Sequence, residues 1–187
     1  MADPGRITAL LGALQSGDTQ AWHDLAPLVY DQLRAIAGRY VRQERGPDVL
    51  IQPSALVHEA YLKLIQEPDR TFQNRYNFFG VCAAIMRRIL VDSARRRNAA
   101  RRGGNAVTFS IDAIPMAMQA QPFDWIELDQ ALDRLNELSE RQRQMIELRF
   151  FAGFSLDQTA EALGVTTKTV QRDWNAARAW LWKELRS

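Results

Sequence analysis

The sequence predicts an all-α protein made of two small helical domains joined by a linker, the second of which contains a helix-turn-helix. Three observations predict this class. Apolar residues recur at spacings of three and four through almost every periodic segment, and no segment alternates as a strand does. Residues 103–124 lack clean periodicity and contain two glycines and two prolines. We therefore place the domains at residues 1–102 and 125–187, with the linker at 103–124.

Four helices are predicted in the first domain. The second of them runs from about Gln20, with a kink or a later start at Pro27. The third opens at residue 53 or 54. The fourth is capped by Asn77 and runs to about Arg102, where two glycines stop it.

The second domain begins with an amphipathic helix over residues 125–138. Ser139 and Ser155 each precede a glutamine by three residues, the pattern of a capping box, and each opens a further helix. Gly164 turns the chain and Thr166 caps the last helix. This short helix, glycine-centred turn and longer helix match the motif that places a helix in the major groove.

The last helix has two distinct faces. Val170, Trp174, Ala177 and Leu181 form one apolar stripe, which we expect to be buried. An ordinary helical hairpin with a solvated polar face is the alternative, but the caps and the turn all fit the helix-turn-helix. The residue types on the other faces suit base edges and phosphates, so the candidate DNA contacts are Thr167, Lys168, Gln171, Arg172, Asn175 and Arg178.

Positive charge is concentrated in the first part of the chain. Residues 1–104 contain 15 lysines and arginines against 10 acidic residues, whereas residues 105–187 contain 9 against 12. Residues 87–104 alone hold seven arginines and one acid, Asp92. A solvated charged face normally interleaves acids for i,i+4 pairing, so we favour contact with phosphates over that alternative.

The candidate contacts in this region are of two kinds. Arginines of the fourth helix would meet the DNA backbone, and aromatic residues of the preceding loop would stack on unpaired bases. The residues are Arg87, Arg88, Arg95 and Arg96 for the first role, and Phe72 and Tyr76 for the second.

The composition excludes other classes of protein. Hydrophobic residues make up 47% of the 187 residues and charged residues 25%, which are ordinary globular values. Cys82 is the only cysteine, and with two histidines the chain cannot build a Cys/His metal cage. We expect no metal and no cofactor. No segment has the form of a signal peptide or a membrane span, so we expect a cytoplasmic protein.

Three stretches resemble bacterial sigma factors of the extracytoplasmic-function (ECF) type. "ALVHEAYLKL" is similar to the family's helix for core RNA polymerase, and "FFGVCAAIMRRILVDSARRR" to the helix that contacts the −10 promoter element. "LSERQRQMIELRFFAGFSLDQTAEALGVTTKTVQRDWNAARAWL" resembles the region that reads the −35 element. Together they cover nearly the whole chain.

The resemblance implies a sigma factor that is not an enzyme. It implies binding to core RNA polymerase and promoter DNA, promoter recognition and DNA melting, with an anti-sigma factor or another regulator as a further partner class. It also implies that the polymerase-binding residues are Leu56, His58, Glu59, Tyr61 and Leu64.

Two other hypotheses stand beside this one. A stand-alone helix-turn-helix regulator predicts tight operator binding without polymerase. A nuclease needs clustered carboxylates, for which Glu127, Asp129 and Asp133 are the nearest candidates. These acids are more simply the polar face of the amphipathic helix at 125–138.

Overall fold

The computed structural model describes residues 4–45, 51–67, 70–100, 108–109 and 123–186. Its helices confirm the predicted all-α class. In chain order they are α1 (Pro4–Gln15), α2 (Ala21–Gln43), α3 (Pro53–Ile65), α4 (Arg75–Ala100), α5 (Trp125–Leu138), α6 (Glu140–Ile146), a π-helical segment (Glu147–Phe151), α7 (Leu156–Leu163) and α8 (Thr167–Glu184). We call α1–α4 the first unit, and α5–α8 with the π segment the second unit.

The longest helix that precedes the basic region, α2, is held by an apolar stripe. It begins at Ala21 and continues through Pro27, so the predicted later start is wrong. Packing of the stripe outweighs the single hydrogen bond that a proline removes. The stripe residues are at most 3% exposed and comprise Leu25, Val29, Leu33, Ile36 and Tyr40.

The start of α4 is set by an asparagine cap, although not by the predicted one. Asn74 Oδ1 accepts a hydrogen bond from the Asn77 N–H at 2.8 Å, so Asn74 occupies the capping position and Asn77 lies in the first turn. Asparagine suits a cap at either position, and the residue type alone does not say which of the two begins the helix. The predicted end near Arg102 lies outside the described residues.

Caps open three helices of the second unit at the predicted residues. Ser139, Ser155 and Thr166 each accept a hydrogen bond from the backbone N–H three residues on, at 3.2–3.3 Å. At Ser155 the capping box is complete, because the Gln158 side chain accepts from the Ser155 N–H at 2.9 Å.

A π-helical segment interrupts the helix that the sequence predicts over residues 140–151. The Ala152 N–H donates to the carbonyl oxygen of Glu147, five residues earlier, at 2.9 Å. The segment buries Glu147, Leu148 and Phe151. Such segments are rare and often lie at functional positions.

Two short strands lie within the predicted linker and pair with a third that follows α2. β1 (Glu44–Arg45), β2 (Thr108–Phe109) and β3 (Phe123–Asp124) form an antiparallel sheet in the order β1-β2-β3. The strands have two residues each, too few for alternation to show in the sequence. The rest of the predicted linker, residues 103–107 and 110–122, lies outside the described residues.

The two units pack against each other through one continuous core. Tyr40 of α2 stacks on Phe151 of the π segment, with ring centroids 5.2 Å apart and an interplanar angle of 13°. Gly80 allows α4 to approach closely, because a Cβ there would lie 2.6 Å from Cδ2 of Leu148. The division into two domains at the stated boundaries stays a prediction.

Candidate nucleic-acid interface

α7, a tight turn and α8 form the predicted helix-turn-helix. The Val165 N–H donates to the Ala160 carbonyl oxygen at 3.0 Å. Gly164 ends α7 with φ 63° and ψ 34°, the left-handed region that glycine adopts without strain. Ala160 is 8% exposed, so its small side chain lies inside the motif.

The two faces of α8 separate as the sequence predicts. The apolar stripe of Val170, Trp174, Ala177 and Leu181 is at most 7% exposed. On the opposite side, a row of polar and basic side chains is exposed to solvent. This α8 row consists of Thr167, Lys168, Gln171, Arg172 and Asn175. Amides and cations at this spacing offer hydrogen bonds to base edges and charge to phosphates.

Two residues of α8 lie apart from the row. The half-buried guanidinium of Arg178 lies 5.9 Å from the centre of the Trp174 ring. Asp173 is 4% exposed and accepts hydrogen bonds from Arg141 Nε at 2.8 Å and Arg172 Nε at 2.9 Å. Burial raises the pKa of the Asp173 carboxyl, but the bonds from Arg172 and Arg141 outweigh burial and hold that pKa below its ordinary value. Asp173 therefore ties α8 to α6.

The candidate arginines of α4 fall into two groups. Arg88, Arg95 and Arg96 are exposed, as expected for residues that meet a DNA backbone. Arg87 is 1% exposed, so its predicted position on the surface is wrong. Arg95 is partly engaged as well, because its Nη2 lies 3.3 Å from Asp129 Oδ2.

Arg87 lies at the centre of a buried ion cluster that joins the two units. Its Nη1 pairs with Asp129 Oδ1 of α5. Its Nε and Nη2 lie 3.2 Å and 3.0 Å from Glu147 Oε1 in the π segment, and Arg143 Nη1 lies 3.2 Å from the same oxygen. We call these residues, together with Arg95, the Arg87 cluster. An isolated buried charge is very unfavourable, so the buried members Arg87, Asp129 and Glu147 depend on one another.

The sequence analysis missed the acidic members of this cluster. It assigned Asp129 to the polar face of α5, yet Asp129 is 8% exposed. Asp129 follows Trp125 by four residues and adjoins Leu128, so it lies on the apolar side of α5. Glu147 likewise interrupts the apolar run of residues 145–148. An acid within an apolar stripe indicates a buried partner of opposite charge.

The aromatic candidates for base stacking are buried in this structure. Phe72 is 4% exposed and meets Phe78 edge to face, with centroids 5.2 Å apart. Tyr76 is 8% exposed and meets Phe154 of the second unit in the same way, also at 5.2 Å. α4 begins at Arg75, so Phe72 lies in the loop as predicted whereas Tyr76 is helical, and neither ring is exposed for stacking on bases. Rings of this size are buried wherever a core is within reach.

The predicted polymerase-binding helix α3 exposes a different set of residues from the one expected. His58 and Glu59 are exposed as predicted. Tyr61 is half-buried and its hydroxyl donates to the Trp22 carbonyl at 3.0 Å; burial raises the pKa of Tyr61. Leu56 and Leu64 are at most 1% exposed, so they belong to the core. The large apolar side chains that α3 presents to solvent are Leu62, 46% exposed, and Ile65, 39% exposed.

The described residues also bear on metal sites and membrane segments. No group of three or more His, Cys, Asp or Glu side chains among them is placed to hold a metal ion. Of the acids considered for a nuclease, Asp129 is buried and paired with Arg87, whereas Glu127 and Asp133 are exposed. Within the same ranges, no helix combines the length and apolar character needed to cross a bilayer.

The helix-turn-helix and the arginine-rich helix define a helical DNA-binding protein. The family model described as ECF sigma factor matches residues 4–187, so the chain belongs to the ECF sigma factor family. Members of this family are regulatory proteins of transcription initiation rather than enzymes. A solved structure of CnrH in complex with the cytosolic domain of CnrY is 24% identical over 98% of this chain and 98% of that chain, with a TM-score of 0.39. A comparison with curated proteins finds no match.

Proposed function

We propose that this protein binds core RNA polymerase and directs it to promoters, where it supports DNA melting. The observation that carries the proposal is the α8 row, an exposed line of amide and basic side chains on the second helix of a helix-turn-helix. In this proposal α8 reads the upstream (−35) element. A role at the polymerase implies that the protein works in the cytoplasm.

The exposed arginines of α4 are assigned to the second DNA contact, near the downstream element. Arg88, Arg95 and Arg96 neutralise backbone phosphates next to the downstream (−10) element. Guanidinium groups bind phosphate through paired hydrogen bonds and fix the register of a protein on DNA without reading its sequence. Base recognition thus rests mainly on α8, and α4 supplies salt-sensitive affinity.

Polymerase docking is assigned to the exposed side of α3. Leu62 and Ile65 offer apolar area that docking removes from water, and His58 and Glu59 supply polar contacts beside them. The docking face proposed here omits Leu56 and Leu64, since both are buried in the first unit. An anti-sigma factor or another regulator stays part of the proposal as the family resemblance implies.

Transcription in vitro with core polymerase on a library of genomic promoters tests this function. We expect a subset of promoters to be used only when the protein is added, with permanganate-reactive thymines at their start sites. Leu62→Asp with Ile65→Asp should weaken core binding by about tenfold or more. Tyr30→Asp, a matched change at a 42% exposed apolar residue of α2, should leave it unchanged. Absence of promoter-specific transcripts would contradict the proposal.

A further inference from the structure

Asp173 and the two arginines that it binds form a cluster at the edge of the α8 row. We propose that Arg141 of α6 is a further contact to DNA phosphate, and that Asp173 is a positioning residue that holds Arg141 and Arg172 in register for promoter DNA. The inference rests on the proposed function and deepens it. It adds to the DNA contacts an arginine outside α8, which the sequence analysis did not include.

One carboxylate fixes both guanidinium groups of this Asp173 cluster. Asp173 Oδ2 accepts from Arg141, with Nε at 2.8 Å and Nη2 at 2.6 Å. Asp173 Oδ1 accepts from Arg172 Nε at 2.9 Å. The two oxygens belong to one planar group, so these bonds set the separation of the two arginines. Because Arg172 belongs to the α8 row, Arg141 lies at the border of that row.

Both arginines keep exposed area and donors for a second partner. The side chains of Arg141 and Arg172 are 48% and 71% exposed, whereas that of Asp173 is 5% exposed. A guanidinium carries five N–H donors. The bonds to Asp173 use two donors of Arg141 and one of Arg172. The carboxylate therefore lies beneath the arginines, and outward N–H groups suit the oxygens of a phosphate.

An acid within a surface proposed to bind DNA calls for a physical explanation, because a carboxylate repels phosphate. The Asp173 cluster keeps a net positive charge, since two arginines share one acid. An arginine that is already held in one conformation loses less conformational freedom when it meets its partner. The positioning role therefore explains why Asp173 lies beside Arg172. It also predicts that removal of the acid harms selectivity although it removes a repulsive charge.

The second unit contains a matched ion pair that lies away from the α7–α8 turn. Arg134 Nε of α5 lies 2.6 Å from Glu184 Oε1 at the end of α8. The Arg134 side chain is 50% exposed, much like that of Arg141. Glu184 lies about 16 Å beyond Asp173 along the axis of α8. Arg134 and Glu184 therefore control for the loss of a surface ion pair and for the change in charge.

Binding of the polymerase complex to a promoter and to a scrambled duplex, at several salt concentrations, tests the inference. The full chain carries Arg141→Ala, Arg141→Lys or Asp173→Asn, with Arg134→Ala and Glu184→Gln as the matched controls. Circular dichroism checks that each variant keeps the helical content of the wild type. Thermal melts set a temperature for the binding measurements at which every variant compared is folded.

The Arg141 variants test the phosphate contact. Arg141→Ala should weaken binding similarly on both duplexes and reduce the salt slope by about 1, because one phosphate contact is lost. Arg141→Lys should keep the slope of the wild type, since it keeps the charge. Arg134→Ala should leave the slope nearly unchanged. A folded Arg141→Ala variant with the slope of the wild type would overturn the assignment of Arg141 to DNA.

Asp173→Asn tests the positioning role. The ratio of promoter binding to scrambled-duplex binding should fall by about fivefold or more, because Arg172 is no longer held in register. Binding to the scrambled duplex should not weaken, since a negative charge is removed. Glu184→Gln should keep the ratio of the wild type. If Asp173→Asn loses helical content, Asp173→Glu, which keeps the charge but moves the carboxylate by one methylene group, carries the test. An unchanged ratio in the folded variant would overturn the positioning role.

The wild-type complex separates a failure of this inference from a failure of the proposed function. If the wild type with polymerase prefers the promoter and the Arg141 and Asp173 variants behave as their controls do, the inference is wrong and the proposed function stands. If the wild type with polymerase prefers no promoter, the proposed function is wrong, and Asp173 has no register to set.

Discussion

α8 and α4 are both basic or polar helices assigned to DNA, yet they present their charges in opposite ways. α8 packs through one apolar stripe, and its α8 row is exposed. α4 is packed against α3 on one side and against α5, the π segment and α7 on another. One of its arginines is therefore covered. The number of arginines in a helix does not give its exposed charge, because the helices packed around it decide which of them meet solvent.

The buried charges of the two helices are also reversed in sign. In α8 the buried group is an acid, Asp173, which holds the exposed Arg141 and Arg172 at the surface. In α4 the buried group is Arg87, and Asp129 and Glu147 neutralise it. The first arrangement leaves positive charge directed outward, and the second removes it from the surface.

The largest expected effect is a difference in stability between variants at two adjacent arginines of α4. Arg87→Ala leaves Asp129 and Glu147 short of a buried partner and should lower the free energy of unfolding by about 3–5 kcal/mol. Arg88→Ala removes an exposed side chain and should change it by about 0.5 kcal/mol or less. Urea unfolding followed by circular dichroism measures both. Equal losses would show that the division of α4 into covered and open arginines is wrong.

A corresponding pair of variants on α8 compares a residue of its buried face with a residue of its exposed face. Trp174 is 7% exposed, and Trp174→Ala should destabilise the protein by about 4 kcal/mol through the cavity it leaves. Arg172→Ala removes one hydrogen bond to the buried Asp173 carboxylate and should cost about 1 kcal/mol of stability, but it should weaken binding of the polymerase complex to promoters by about 1–3 kcal/mol if Arg172 contacts a base. Base substitutions in the upstream element should then matter less to that variant. An Arg172→Ala variant as unstable as Trp174→Ala, with unaltered upstream preference, would contradict the orientation of α8.

The pH dependence of stability tests the role of Asp173. The pKa of Asp173 is lower in the folded protein than in the unfolded chain, where an aspartate has a pKa of about 3.9. Its stabilising contribution is therefore complete above about pH 4 and is lost as the pH falls through the folded pKa. Asp173→Asn should cost about 1–3 kcal/mol at neutral pH. The thermal melts of the two proteins should begin to converge below about pH 4 and should coincide only below the folded pKa. A difference that persists in acid would rule out this ion pair as its source.

The smallest expected effect concerns the exposed arginines of α4. Arg95→Ala and Arg96→Ala should each reduce the salt slope of promoter binding by the polymerase complex by about 1, similarly across promoter variants. Their thermal stability should change little. Filter binding at several salt concentrations measures the slope. An effect confined to one promoter base would instead indicate direct base readout by α4.

Local signals in the sequence were sufficient for the helix caps of the second unit and for the two faces of α8. The caps at Ser139, Ser155 and Thr166 depend on residues within three positions, and the stripe of α8 depends on spacing alone. These features therefore appear in the structure as predicted. The two faces of α8 followed from the same spacing.

Contacts between distant parts of the chain were beyond such signals. Whether Arg87 meets solvent depends on α5 and the π segment, which follow it by about 40 residues or more, so no local pattern fixes its exposure. Burial of Tyr76 depends on Phe154 in the same way. On α3 the spacing gave the helix but not which side meets α2 and α4. As a result, Leu56 and Leu64 are buried although they were predicted to bind polymerase, and Leu62 and Ile65 are the exposed apolar residues.

Promoter selectivity with and without core polymerase tests the central claim most directly. Binding of the full chain to a promoter found by transcription, and to a scrambled duplex of equal length, is measured at one salt concentration in both conditions. The account predicts weak binding with little preference for the free protein, because one side of α4 is covered and α8 acts alone. It predicts strong preference for the promoter, with strand opening, once polymerase is bound. Tight and selective binding by the free protein would contradict the account and favour a stand-alone regulator.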